Sequence, residues 1–201
     1  MDTKAALRHF KKVDPVIHTV VKNALTDNPR MQLPVPKHES EYFSALVRSI
    51  VGQQITMAAA KTIFTRLEVV FGQITFENLY SASDESISQA GISKQKLAYI
   101  KSLISLWPVL EKRQLSSLSD DEVRAELTRC HGIGIWTADM FMIFTLGRPD
   151  VYSFNDLVLQ KQLVRYYNLP NTKSKTAHHK IVGLWSPYKS IASLALWHCF
   201  E

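Results

Sequence analysis

The chain has 201 residues, 46% of them hydrophobic and 21% charged, enough to bury a sizeable core within the length of one domain. Its 24 lysines and arginines outnumber its 18 aspartates and glutamates, giving a net charge of +6, which favours polyanionic partners such as nucleic acid. Two cysteines, Cys130 and Cys199, are too few for an iron–sulfur cluster held by four thiolates or for a four-cysteine zinc site, and no window approaches the roughly 20 apolar residues of a membrane span.

The first residues, MDTKAALRHF, lack the apolar core of a secretory signal. The expected location is therefore the cytoplasm, with its nucleoid in a bacterium, or another nucleic-acid compartment such as the nucleus in a eukaryote. Asp14 followed by Pro15 predicts an N-cap and a first helical position. One linker-like segment follows, DNPRMQLPVPKHES at 27–40. In EYFSALVRSIVGQQ the apolar residues Phe43, Leu46, Val47, Ile50 and Val51 fall on one helical face, so this helix is expected to be central. KQKLAYIKSLISLW reads as a helix. Ser119 with Glu122 forms a capping box ahead of another. TADMFMIFTL, DLVLQKQLVRYY and SIASLALWHCF complete the set. No repeat or low-complexity tract interrupts the chain. The expectation is an all-α fold, a single domain over 1–201 made of two helical lobes with a cleft between them.

CHGIGIWTAD, at 130–139, places two glycines between two predicted helices. Gly132 could end one helix as a left-handed cap. Alternatively, Gly132 and Gly134 let successive amides at the start of the next helix point outward together and bind an anion such as a phosphate. Two glycines alone do not separate these readings.

The wider stretch LTRCHGIGIWTADMF, followed by LGRPDVYSFNDLVLQKQL, resembles the helix-hairpin-helix DNA glycosylase superfamily, with its hairpin, its Gly/Pro-rich segment and an aspartate. SIVGQQITMAAAKTI, GISKQKLAYIKSL and WSPYKSIASLALWHCF extend the likeness over about residues 14–200. Within the superfamily it is to the bacterial 3-methyladenine DNA glycosylase II type and its yeast relatives, in a compact form without the extra N-terminal domain. The resemblance implies a DNA-binding cleft and double-stranded DNA containing damaged bases as the partner. It implies Gly132, Gly134 and Thr137 at a DNA phosphate and Asp156 as the catalytic carboxylate. Read without it, Asp156 sits in a helical first turn for the helix dipole, with Asn155 as the cap.

Cleaving an N-glycosidic bond builds positive charge on the sugar, which a fixed carboxylate stabilises while it orients water. The base must first be flipped out of the duplex. Charged, alkylated purines stack on electron-rich rings, and Trp136 and Trp197 match pocket aromatics of the resembled enzymes, although core packing accounts for such tryptophans equally simply. Met140 and His198 stand where the resembled enzyme has tyrosines. Trp136 also occupies the place of the lysine that bifunctional members use to form a Schiff base. The implied enzyme is therefore monofunctional and leaves an abasic site.

Gln53 and Gln54 fall where the family has a wedge residue that fills the vacated stack; a helix-ending polar pair is the alternative. Lys94, Lys96 and Lys189 are candidate phosphate contacts or plain surface charges. His131 replaces a common proline and Asn155 an acidic neighbour of the catalytic aspartate. No side-chain metal site is expected, since His178 and His179 are adjacent and face different ways on a helix. No cofactor is expected beyond a monovalent cation on hairpin carbonyls near residues 130–133, which the resemblance implies. A monomer is expected. The competing reading is a non-catalytic helix-hairpin-helix DNA-binding module.

Overall fold

The computed structural model describes residues 3–170 and 175–200. Among them there is no strand. The helices are α1 (Thr3–Val13), α2 (Pro15–Asp27), α3 (Tyr42–Gly52), α4 (Met57–Phe71), α5 (Phe76–Tyr80), α6 (Asp84–Gln89), α7 (Lys94–Lys112), α8 (Asp120–Thr128), α9 (Ile135–Phe144), α10 (Leu157–Tyr167), α11 (Lys175–Gly183) and α12 (Lys189–His198), with a 3-10 turn at Glu39–Glu41 before α3. The chain divides into two compact units, one of Met1–Pro36 with Met142–Glu201 and the other of Lys37–Phe141. It passes from the first to the second inside the segment read as a linker and returns within α9.

In the first unit, α1 and α12 pack on α2, and α10 packs on α12. Asp14 is the expected N-cap of α2, and it does more than cap. Oδ1 accepts the Val16 and Ile17 amides at 3.0 and 3.2 Å, while Oδ2 accepts the Tyr167 hydroxyl at 2.6 Å and the Trp185 indole N–H at 2.9 Å. These donors replace the water that a carboxylate only 5% exposed gives up on folding. They also tie the start of α2 to the end of α10. Burial, then the hydrogen bond and charge of Asp14, push the Tyr167 hydroxyl far up from its ordinary pKa.

The second unit is built on α3, against which α4 and α7 pack. Phe43, Leu46, Val47, Ile50 and Val51 are all buried, as the periodicity predicts. Ser119 accepts the Glu122 amide and Glu122 accepts that of Ser119, completing the expected capping box of α8. One boundary differs from the sequence reading, because α7 continues past Trp107, through Pro108, to Lys112. A proline inside a helix costs about 3 kcal/mol. Trp107 and Leu110, both buried on that turn, each return about 1.5–3 kcal/mol of burial, so packing outweighs the break.

Candidate nucleic-acid interface and active site

The hairpin between α8 and α9 is fastened from several sides within the Lys37–Phe141 unit. Gly132 has φ +92°, and a Cβ built there would lie 2.1 Å from Cγ of Tyr99. No other residue fits this position. Ser102 Oγ accepts the His131 amide at 2.9 Å, and the Gly132 carbonyl accepts the Gln53 side-chain amide at 2.8 Å. The apolar anchor Ile133 is buried between the glycines.

Gly134 is different. It has no left-handed φ, and nothing lies within 4 Å of a Cβ built on it. Neither backbone conformation nor internal packing requires glycine there, so the space is open to something outside the chain. Among the described residues the Gly134 and Ile135 amides have no hydrogen-bond acceptor, as the geometry of a helix start leads one to expect. Outward amides at the positive end of a helix dipole suit an anion.

A cavity of about 470 Å³ opens at this turn, lined among others by Gln53, Gln54, Gly132, Gly134, Trp136, Thr137 and Met140. Seven residues singled out from sequence thus share one wall system. Trp136 is 43% exposed, so core packing does not account for it. Thr137 is largely buried at the first turn and lines the same cavity. The two glutamines separate clearly. Gln53 spends its amide on the hairpin, whereas Gln54 is exposed and holds a left-handed φ of +58°, an unusual backbone for a residue with a side chain.

Sequence reasoning missed the clamp that holds the two hairpin helices together. Arg124 Nε of α8 lies 2.7 Å from Asp139 Oδ1 of α9, and the Asp139 side chain is 2% exposed. Arg124 also reaches Asp121 at 2.9 Å. Burial works against the Arg124 charge, yet the hydrogen bonds and charges of Asp139 and its acidic neighbours outweigh it and raise the guanidinium pKa. The signal was present as an arginine and an aspartate flanking the glycines, but periodicity does not pair residues across a turn.

Asp156 belongs to the Met142–Glu201 unit. It is not in the first turn of α10 behind an Asn155 cap, as its sequence neighbourhood suggests. It is itself the N-cap, with Oδ1 accepting the Leu159 amide at 2.9 Å, and Asn155 lies exposed outside the helix. The helix begins one residue later than expected because the aspartate takes the extended conformation a cap requires. The carboxylate is only 7% exposed, and the loop leading to it is braced by Gln160 Nε2 donating to the Phe154 carbonyl at 2.6 Å. Tyr152 is buried in the same loop, with no hydrogen-bond partner for its hydroxyl among the described residues. Burial, and then the charge of Asp156, push its pKa far up, which keeps it neutral beside the carboxylate.

The remaining predicted residues of this unit take several roles. Trp197 stacks on the partly exposed Phe144, with ring centroids 5.8 Å apart. His198 closes α12, half-buried. Lys189 is committed, since its ammonium lies 3.0 Å from Asp150 Oδ2 and its amide donates to Oδ1 of the same residue. A phosphate would have to compete with that carboxylate. In the other unit, Lys96 donates to the Val51 carbonyl at 2.7 Å, serving the end of α3. His178 is buried and His179 stacks on Phe154 at 3.9 Å. Among the described residues no three His, Cys, Asp or Glu side chains are placed to hold a metal ion, and no helix is long and apolar enough to cross a membrane.

Comparison with known proteins points the same way. A model of the HhH-GPD superfamily of base excision DNA repair proteins matches residues 47–187. The chain is 29% identical to a DNA-3-methyladenine glycosylase of Saccharomyces cerevisiae, over 96% of this chain and 78% of the yeast protein. Among solved structures, it is similar to a DNA-3-methyladenine glycosidase of Bacillus halodurans at TM-score 0.72 and 34% identity, covering 92% of this chain and 88% of the other. It is also similar to the 3-methyladenine DNA glycosylase of Schizosaccharomyces pombe in complex with abasic DNA, at TM-score 0.78 and 29% identity, covering 96% and 95%.

Proposed function

The chain belongs to the HhH-GPD superfamily of base excision DNA repair proteins, and from that premise we propose that it is a monofunctional DNA glycosylase acting on duplex DNA. Its substrates are alkylated purines such as 3-methyladenine and 7-methylguanine, released by hydrolysis to leave an abasic site. The observation that carries this reading is the buried carboxylate of Asp156, which caps α10; that the first turn of α9 carries Trp136 and not a lysine makes the reading monofunctional.

The Gly134 and Ile135 amides take a backbone phosphate and set the register of the duplex. The target nucleotide leaves the stack at a cost of about a few kcal/mol, least where the base is damaged. Gln54 enters the gap it leaves, while Gln53 keeps the hairpin in place. A cationic purine is attracted to the face of an exposed aromatic such as Trp136, a contact contributing on the order of 0.5–2 kcal/mol. As the glycosidic bond lengthens, the Asp156 carboxylate stabilises the positive sugar and orients the attacking water. With no amine at position 136 there is no Schiff base and no strand cleavage.

This chemistry needs no cofactor. The hairpin offers carbonyl oxygens and no carboxylate, a donor set that suits a monovalent cation. Although the Cys130 and Gly132 carbonyls accept the Ile133 and Gln53 amides, each has a second lone pair, and a cation there would stiffen the hairpin against the phosphate. The protein works as a monomer, wherever the cell keeps its DNA.

The test is to incubate methylated duplex DNA with the protein and measure free purines, alkali-labile sites and strand breaks without alkali. Free purines with alkali-labile sites and no direct breaks are expected. Salt-sensitive DNA binding without any released base would instead identify a non-catalytic binding module.

A further inference from the structure

The Lys37–Phe141 unit has a second cavity, of about 310 Å³, that shares no lining residue with the cavity at the hairpin. Aromatic rings form its inner wall. Phe43 meets Phe76 edge to face at 6.0 Å and Trp107 at 5.1 Å, with Phe76 only half-buried. Its mouth carries exposed Glu39, Glu77 and Glu111, one each from the 3-10 turn, α5 and α7, and no lysine or arginine.

In a chain of net charge +6 this is a local inversion of sign. Elsewhere Glu41, Glu68, Asp84, Glu126 and Asp150 each pair with a lysine or arginine. Among the described residues none of the three carboxylates at this mouth does, and Glu39 accepts only the Ser116 hydroxyl. They are also not gathered as a metal site would need. Carboxylates spread around an aromatic-walled cavity fit a larger cation with an apolar stem, one whose charge reaches several acids while its body lies on rings.

We propose that this cavity receives an arginine or lysine side chain presented by a partner protein. A protein source is favoured over a free cation by the surface beside it. Tyr80 is 69% exposed and pairs with the ring of Phe76 at 5.3 Å, an exposed aromatic next to an anchor pocket, the arrangement found at the centres of protein interfaces. The inference is independent of the glycosylase reading, since none of these residues serves the hairpin or Asp156.

The experiment titrates the full chain with a capped glycyl-arginyl-glycine peptide, its uncharged citrulline counterpart and free butylguanidinium, following NMR signals of Trp107 and Phe76. The arginine peptide is expected to shift those signals saturably and to bind at least about fivefold more tightly than the citrulline peptide. The double variant Glu77→Gln/Glu111→Gln should weaken it by a similar factor, with release of bases from methylated DNA unchanged. No saturable shift, equal binding of the citrulline peptide, or undiminished binding by the double variant would overturn the site. Butylguanidinium binding as tightly as the peptide would overturn the protein source. Base release is measured on the same samples, so failure of the pocket is distinguishable from failure of the enzyme.

Discussion

Gly132 and Gly134 stand two residues apart and should respond to the same substitution in different ways. At Gly132, alanine must adopt φ +92° and place its Cβ 2.1 Å from the Tyr99 ring. The left-handed backbone costs about 1–2 kcal/mol and forced overpacking about 1–3 kcal/mol, so Gly132→Ala should lose about 2–5 kcal/mol of stability. Adding Tyr99→Ala should relieve the clash but not the backbone strain. At Gly134, where a Cβ meets nothing, alanine should lose no more than about 1 kcal/mol, because the unfolded-chain gain offsets part of the poorer N-cap that alanine gives α9. It should nonetheless weaken DNA binding, because the new methyl occupies the space a phosphate needs. Urea unfolding and fluorescence-polarisation binding to an abasic duplex, run on both variants, separate the two effects. A Gly134→Ala protein that binds DNA like the wild type would refute the grip assigned to the hairpin.

Other substitutions test the supports. Removing Asp139 by Asp139→Ala leaves the partly buried Arg124 with Asp121 but without its main partner and should cost about 1.5–3 kcal/mol in urea unfolding, much of it recovered in Arg124→Met/Asp139→Leu; full stability in the single variant would remove the clamp. Gln53→Ala should lose about 1 kcal/mol with its bond to the Gly132 carbonyl, whereas Gln54→Ala should unfold like the wild type and excise more slowly; the reverse pattern would exchange the two roles. His178 is buried, and burial followed by the neighbouring His179 lowers its pKa. The unfolded state therefore binds a proton before the folded one does, so this contribution to stability is present above the unfolded value of about 6.5 and is lost as pH falls below it. His178→Leu should flatten that part of the profile in thermal melts from pH 5 to 8, and an unchanged slope would assign it to another group.

Much of this was legible because local rules and tertiary packing agree. The buried face of α3, the Asp14 cap and the Ser119–Glu122 box follow from period and hydrogen-bonding chemistry within a turn. The glycines of the hairpin were visible, but not that Gly132 answers to the Tyr99 ring while Gly134 answers to nothing inside the chain. The cap of α10 was misplaced by one residue because Asn155 and Asp156 are equally good caps, and only backbone conformation chooses between them. Pro108 hid the last turn of α7, since the burial that retains it comes from other elements. Lys189 read as a free cation, and its partner Asp150 lies 39 residues away, beyond any local pattern. The short helices α5 and α6 escaped periodicity because neither spans two turns.

The central claim rests on Asp156, and Asp156→Asn isolates it. Asparagine caps a helix as well as aspartate does, so the variant should fold, unfold in urea and bind abasic DNA like the wild type. It lacks only the charge to which the proposed mechanism assigns stabilisation of the developing cation. Single-turnover release of purines from methylated duplex DNA should fall by about 10²-fold or more. Release at the wild-type rate would show that the carboxylate does not perform the chemistry.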